Sequence, residues 1–383
     1  MRVTLHSNFG KENMIYKLFL VSSALFLTSA CGVSNLSKFK ERWNPANDPI
    51  NMAGDYVIKF DQLPLQSALP TQPWSDTYWP SYRGGVAQRW RSHENGHQYT
   101  TLPEASLASM TLAEISKLSP AEKYDIYIGN FGYGLVGYER SRTTPQDDTW
   151  FGLCHGWAPA SLIFAEPKSV LVTSRTGIQI PFAASDVKAL LTLHQGNFNT
   201  SKSTMLGERC NTDISNLPLN QIPVECRDTN AGAFHVVIAN QIALKQKGFV
   251  ADVTRDLEVW NQPVYSYQTE VIGETTPSLG SAVGTEKELI VKTTMVYGVE
   301  ISPQWDHVVA TGRNSLSSEE YQYRLELDGN NNILGGAWLT EDSSRPDFLW
   351  SQDAGQLNDY FLPLKDLYEA SLASPGIVDP AQQ

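Results

Sequence analysis

From Leu289 to Ile301, alternate residues (Leu289, Val291, Thr293, Met295, Tyr297, Val299 and Ile301) line up on one side of an extended chain. A period of two sustained over that length specifies a strand with one buried face, and a strand this long needs neighbours. "YQYRLELD" and "ILGGAWL" supply a hairpin over "DGNN". Asp328, Asn330 and Asn332 there resemble the opening of a calcium loop. Ile333 stands where glycine is needed and Leu339 where the closing glutamate belongs, so a plain turn is expected. "SVLVTSRTGIQIPF" gives another hairpin, and "AFHVVIANQI" with "GFVADVT" a further strand pair around "KQKG". Helical patterning appears around 111–128, where Ser119-Pro120-Ala121-Glu122 forms a capping box, and in "SDVKALLTLH", capped by Ser185. In the latter, Val187, Leu190, Leu191 and His194 share one face, which places His194 in the core. Residues 55–100, rich in Pro, Trp and Tyr, are expected to be irregular, and 270–286 a long loop. The sum is an α+β domain built on an antiparallel sheet.

The beginning of the chain has a different purpose. From Met14 it runs "MIYKLFLVSSALFLTSACG": a base at Lys17, an apolar run of about ten residues, then small residues before Cys31. That run is too short to span a bilayer and matches a secretory signal. "LTSAC" resembles a lipobox, with Thr28 where leucine is usual, so Cys31 is expected to carry lipid and the protein to be an exported envelope or outer-membrane lipoprotein, the alternative being plain secretion. Net charge is -12; residues 1–30 hold three bases and one acid, which leaves -14 on the rest. Such an acidic body offers no basic stripe to replace the counterions of a nucleic acid.

In an oxidising compartment, Cys210 and Cys226 bracket a Pro-containing polar loop and form the natural disulfide, worth about 3 kcal/mol by loop closure. Cys154 is then the odd thiol, in "WFGLCHGWAPAS" just ahead of an apolar helix. A cysteine attacks only as thiolate, which a helix start and an imidazole both favour. A lone cysteine also serves as a small buried hydrophobe, and the local sequence leaves both readings open. Pro159 places the regular helix nearer Gly156 than Cys154.

Of seven histidines, His6 is in the leader, His194 is core, and His155 points away from its neighbour on a helix. His235, mid-strand in "GAFHVVIA", is the best base; a reverse turn near 243–244 would set Asp252 of "FVADVT" beside it. Asp252 would then fix the imidazole tautomer, with Asp306 in "PQWDHVV" as the rival carboxylate. Cysteine, histidine and aspartate in this order are shared by papain-like peptidases and transglutaminases.

"VWNQPV", Val259 to Val264, resembles the peptide core of the oomycete transglutaminase elicitors. So do "WFGLCHGWAPAS", "DVKALL", "RCN", "CRDTNAGAFHVVIANQI", "FVADVTRD" and "RPDFLW", which together cover roughly residues 70–350. The chain departs from the elicitor peptide itself after Val264, where Tyr265-Ser266-Tyr267 lacks its basic residue. The resemblance implies a transglutaminase/papain-like core and protein-glutamine γ-glutamyltransferase activity. Cys154 would attack a glutamine carboxamide, His235 would protonate the departing ammonia, and a lysine amine would capture the thioester. The backbone N–H of Cys154 is one expected oxyanion donor. Trp150 and Trp157 either wall the cleft or fill the core, and the Trp260–Pro263 segment is expected to be a structural turn. The implied partners are proteins with accessible glutamine and lysine, and the membrane through Cys31. No cofactor is required; calcium or another divalent cation is compatible with the resemblance, but no site is legible.

Two rivals remain: a cysteine hydrolase using the same residues on water, and a non-catalytic binding lipoprotein. The organisation expected is a signal peptide at 1–30, a tether at 31–54, a cover at 55–145, a catalytic domain at 146–352 and a tail at 353–383.

Overall fold

A computed structural model describes residues 44–382 apart from 210–216, 218–220, 222, 224–228, 254–257 and 341–343. The leader, Cys31 and the Cys210–Cys226 pair lie outside the described residues. The strands are β1 (Gln66–Ala68), β2 (Val170–Thr173), β3 (Gln179–Phe182), β4 (Ser203–Leu206), β5 (Val250–Asp252), β6 (Asn261–Thr275), β7 (Lys287–Gly298), β8 (Leu316–Leu327), β9 (Ile333–Trp338) and β10 (Leu349–Gln352). The α-helices are α1 (Ile50–Ala53), α2 (Glu104–Leu107), α3 (Leu112–Ile115), α4 (Pro120–Tyr127), α5 (Gly134–Arg142), α6 (Cys154–Ile163), α7 (Ala184–Leu193), α8 (Ala231–Ile238) and α9 (Leu362–Ala373).

One sheet organises the molecule, in the order β4-β10-β5-β6-β7-β8-β9, with β1 added beside β6. Every pairing in it is antiparallel. Burial along β7 alternates almost without fault, as its period of two requires. The "DGNN" turn is a plain one: Asp328 accepts from the backbone of Asn330 and Asn332 and from the Asn332 amide. The β2–β3 hairpin stands apart as a second, two-stranded sheet. The expected loop over 270–286 is shorter, since β6 continues to Thr275.

The capping box at Ser119 is present, and a second at Thr111–Glu114 starts α3. Helix α7 begins two residues earlier than expected, with Ala183 at the cap. Its backbone N–H donates to Asp186, while Ser185 lies inside the helix and donates to Asp76. The tail forms α9, whose Leu364 and Leu367 are buried in a core shared with Tyr124, Leu190 and Phe361.

The main correction concerns residues 231–244, a helix and not a strand. Helix α8 carries "AGAFHVVI" and continues as a wide turn through Ala239–Leu244. The proposed hairpin between His235 and Asp252 therefore does not exist, although Asp252 does end a strand. All eight residues of α8 are buried, and a wholly apolar run carries no period to separate a strand from a buried helix. The side chain of Asn230 decides the outcome by accepting from the N–H groups of Gly232 and Ala233. Asn230 is itself held through its backbone N–H by Asn47. At Gly232 a Cβ would fall 2.4 Å from the backbone of Gly335, so α8 lies directly on β9.

His235 sits within this packing. Its Nδ1 is 2.8 Å from the Tyr323 hydroxyl, its ring stacks on Phe60, and burial pushes its pKa down from 6.5 to about 4. The unfolded chain takes up a proton below pH 6.5 that the folded imidazole refuses until about pH 4. Stability therefore rises with pH across this window and is lost as pH falls through it, by at most about 3 kcal/mol. Urea titrations from pH 7 to pH 4 should show this acid sensitivity, flattened in His235→Gln relative to wild type. Equal slopes would contradict the assignment.

Candidate active site

Cys154 is the first residue of α6 and is buried, 6% exposed. The helix starts here, two residues earlier than Pro159 was expected to allow. Proline in its interior removes the N–H that would bond the His155 carbonyl. Burial of Trp157, Ala158 and Ala160 against Trp74, Val250 and Trp350 holds both sides of that gap. Two glycines set the approach. At Gly156 a Cβ would lie 2.2 Å from the Thr192 carbonyl of α7, and at Gly152 2.4 Å from the Tyr78 carbonyl. Leu153 N–H donates to that same Tyr78 carbonyl, and Ser81 N–H to Phe151. Trp79, fully buried in this segment, is held at a φ of 47°, a left-handed conformation costly for a tryptophan.

The thiol has a defined polar surround. Sγ donates to the Val259 carbonyl at 3.5 Å and accepts from the Asn261 amide Nδ2 at 3.4 Å. Asn261 cannot turn round: its Oδ1 accepts from the indole Nε1 of Trp350 at 2.8 Å, and an indole N–H only donates. Burial raises the thiol pKa above its ordinary value. The Asn261 side chain and the backbone N–H groups of Asn261 and His155 pull it back, while the Glu300 carboxylate adds to the rise. The resting state is accordingly the thiol, with the donors needed for a thiolate already in place.

A cavity of about 340 Å³ lies near the start of α6: its lining includes Thr77, Tyr78, Arg83, Glu300 and Ser302 but not Cys154, and Tyr78 joins it to α6 by accepting from Leu153 N–H. Tyr78 packs edge-on against Trp260, and its hydroxyl donates to the Thr149 carbonyl. The Gln262 amide donates to both oxygens of Glu300, at 3.4 and 3.2 Å. Burial raises the Glu300 pKa, and the Gln262 bond opposes that rise.

The structure gathers only some of the expected residues. Asp252 lies opposite Asn261 in the β5–β6 ladder, one strand from the thiol's amide partner. His235 belongs to the cluster around Tyr323, and no described contact joins it to Cys154. The acid–base role implied for it requires the imidazole to reach the thiol; Tyr323 and Phe60 tie it into the sheet core instead. Asp306 is exposed on a loop, 3.7 Å from Arg313. His155 turns to Asn197, and His194 packs on Phe361. Trp157 is core, whereas Trp150 is half-buried at its edge. The segment read as a turn over Trp260–Pro263 instead opens β6. Asn261, Trp350, Tyr78 and Glu300 were not singled out in the sequence, because an uncharged amide or a tyrosine in an aromatic stretch carries no spacing signal. Among the described residues, no three His, Cys, Asp or Glu side chains gather to hold a metal ion.

The described site is thus a buried thiol at a helix start, with donors aimed at its sulfur and a cavity near that helix start, on an α+β fold. The model of the transglutaminase elicitor family matches residues 143–359, more than half of the chain, and the chain belongs to that family. Its fold is similar to the crystal structure of the GP42 transglutaminase from Phytophthora sojae, with a TM-score of 0.62 and 21% sequence identity over 83% of this chain and 94% of that one. No curated protein matches the sequence.

The Asn261 assignment is directly testable by following alkylation of Cys154 against pH, read by peptide mass spectrometry. The midpoint should lie above that of an ordinary cysteine, and Asn261→Leu should move it up further. An unchanged midpoint would remove Asn261 from the thiol's support.

Proposed function

We propose that the chain is a protein-glutamine γ-glutamyltransferase with Cys154 as acyl carrier. The observation that carries this reading is the Cys154–Asn261–Trp350 chain of contacts, which holds an amide donor in one orientation toward the Cys154 sulfur. Membership of the transglutaminase elicitor family supports it.

In the reaction, the Cys154 sulfur attacks the side-chain carbonyl carbon of a protein-bound glutamine. The C–N bond to the amide nitrogen breaks, and ammonia leaves with the proton that the thiol surrenders. The amine of a lysine then attacks the thioester, a C–N bond replaces the C–S bond, and the thiol is restored. Asn261 Nδ2 and the N–H groups of Asn261 and His155 favour the thiolate as it forms and as it departs. Export through the leader and lipid attachment at Cys31 would place this activity in the cell envelope.

Incubation with a glutamine-donor protein and a biotin-tagged alkylamine tests the reading. Mass spectrometry should find the amine on donor glutamines with wild type and none with Cys154→Ala. Deamidation or backbone cleavage without amine incorporation would make the protein a hydrolase, and no change in the donor at all would refute catalysis.

A further inference from the structure

Glu300 raises a question that the nucleophile alone does not answer. Its carboxylate is half-buried, lines the cavity near the start of α6 and influences the thiol of Cys154 electrostatically. Its described hydrogen-bond partner is the neutral amide of Gln262, and no described cation pairs with it. Three other carboxylates buried in the fold meet a cation, Asp186 with Lys123 at 2.5 Å, Glu166 with Lys188 at 2.6 Å and Glu139 with Arg142 at 2.6 Å, whereas Asp125, like Glu300, is held by neutral donors, the Tyr360 hydroxyl and the N–H groups of Leu135 and Val136. A carboxylate removed from water without a cation is costly to keep ionised.

The position of Glu300 is fixed from two sides. Ile301 N–H donates to the Asp76 carbonyl, and two residues along that segment the Tyr78 carbonyl accepts from Leu153, just before the nucleophile. Gln262, which holds the carboxylate, directly follows Asn261, which holds the thiol. One short strand start therefore positions both groups. The cavity, about 340 Å³, has room for an alkylammonium chain. Its remaining charged lining residue, Arg83, is exposed and lies toward the ring of Tyr82.

We propose that Glu300 is the acyl-acceptor site, binding the ammonium group of the incoming lysine and taking its proton. The inference rests on the transferase reading. Lysine enters as R–NH3+ and pairs with the Glu300 carboxylate. A proton passes to the carboxylate, leaving R–NH2 beside the thioester. The nitrogen attacks the carbonyl carbon, the C–N bond forms and the C–S bond breaks. The second nitrogen proton goes to the departing sulfur, and Glu300 releases its proton to solvent. The balance is thioester plus ammonium giving amide, thiol and one proton, with no further reactant.

The test compares the full mature chain with Glu300→Gln, using a glutamine-donor peptide and two acceptors at pH 7. One acceptor is an alkylamine, which arrives as a cation; the other is hydroxylamine, which is largely uncharged. Ammonia release reports acylation separately from amine incorporation, and thermal unfolding checks the fold. Removing the charge that disfavours the thiolate should leave ammonia release and hydroxylamine capture no slower, or faster, in the variant, while alkylamine incorporation at limiting amine falls about tenfold or more through a higher KM. Glu300→Asp should recover part of that loss. Equal losses with both acceptors, or unchanged alkylamine incorporation, would overturn the proposal. Absence of ammonia release from wild type would instead refute the transferase reading, and the acceptor site with it.

Discussion

The hydrogen bond from the Trp350 indole to Asn261 is the contact on which the site depends. It turns an asparagine, whose two ends are nearly the same shape, into a one-way donor facing sulfur. Trp350 is available for this because β10 pairs with β5, which in turn pairs with the first residues of β6. The order of three adjacent strands thus determines the orientation of one amide. On the other side, the close approaches at Gly152 and Gly156 bring the start of α6 to that amide. Sheet and helix meet at the sulfur, and neither alone would define a reactive group.

Burial works against the nucleophile in this arrangement. Desolvation raises the pKa of Cys154 and of Glu300, and each negative charge disfavours the other. The resting site is therefore close to neutral at the thiol, and reactivity waits on what enters the cavity. An amide carbonyl that accepts the attacking electrons, and later a cation that relieves Glu300, are the two substrate features this surround would reward. Such a site restrains a thiol that would otherwise oxidise or acylate freely.

The parts of the fold that were legible carry a polar–apolar period or a local capping signal in the sequence itself. Strand β7 could be read because Val291, Met295 and Tyr297 alternate with Lys292 and Thr294, and the capping box at Ser119 because its hydrogen bonds are local. Helix α8 could not, since eight buried residues erase any period; the informative residue was Asn230, one position before the run. That error carried His235 onto the wrong kind of element, and with it the expected pairing to Asp252. Cys154 was identified from its own segment and from the family likeness. Its partners were hidden for a different reason. Asn261 and Trp350 are 107 and 196 positions beyond it, joined only by strand order, which no local pattern encodes.

The central claim is that Cys154 carries the acyl group. It is tested most directly by mixing the protein with a glutamine-donor peptide in the absence of amine, quenching in acid and weighing the intact chain. The account predicts an adduct of the peptide mass less ammonia, located on Cys154, released by hydroxylamine and absent from Cys154→Ala. Turnover without such an adduct, or an adduct on any other residue, would contradict it.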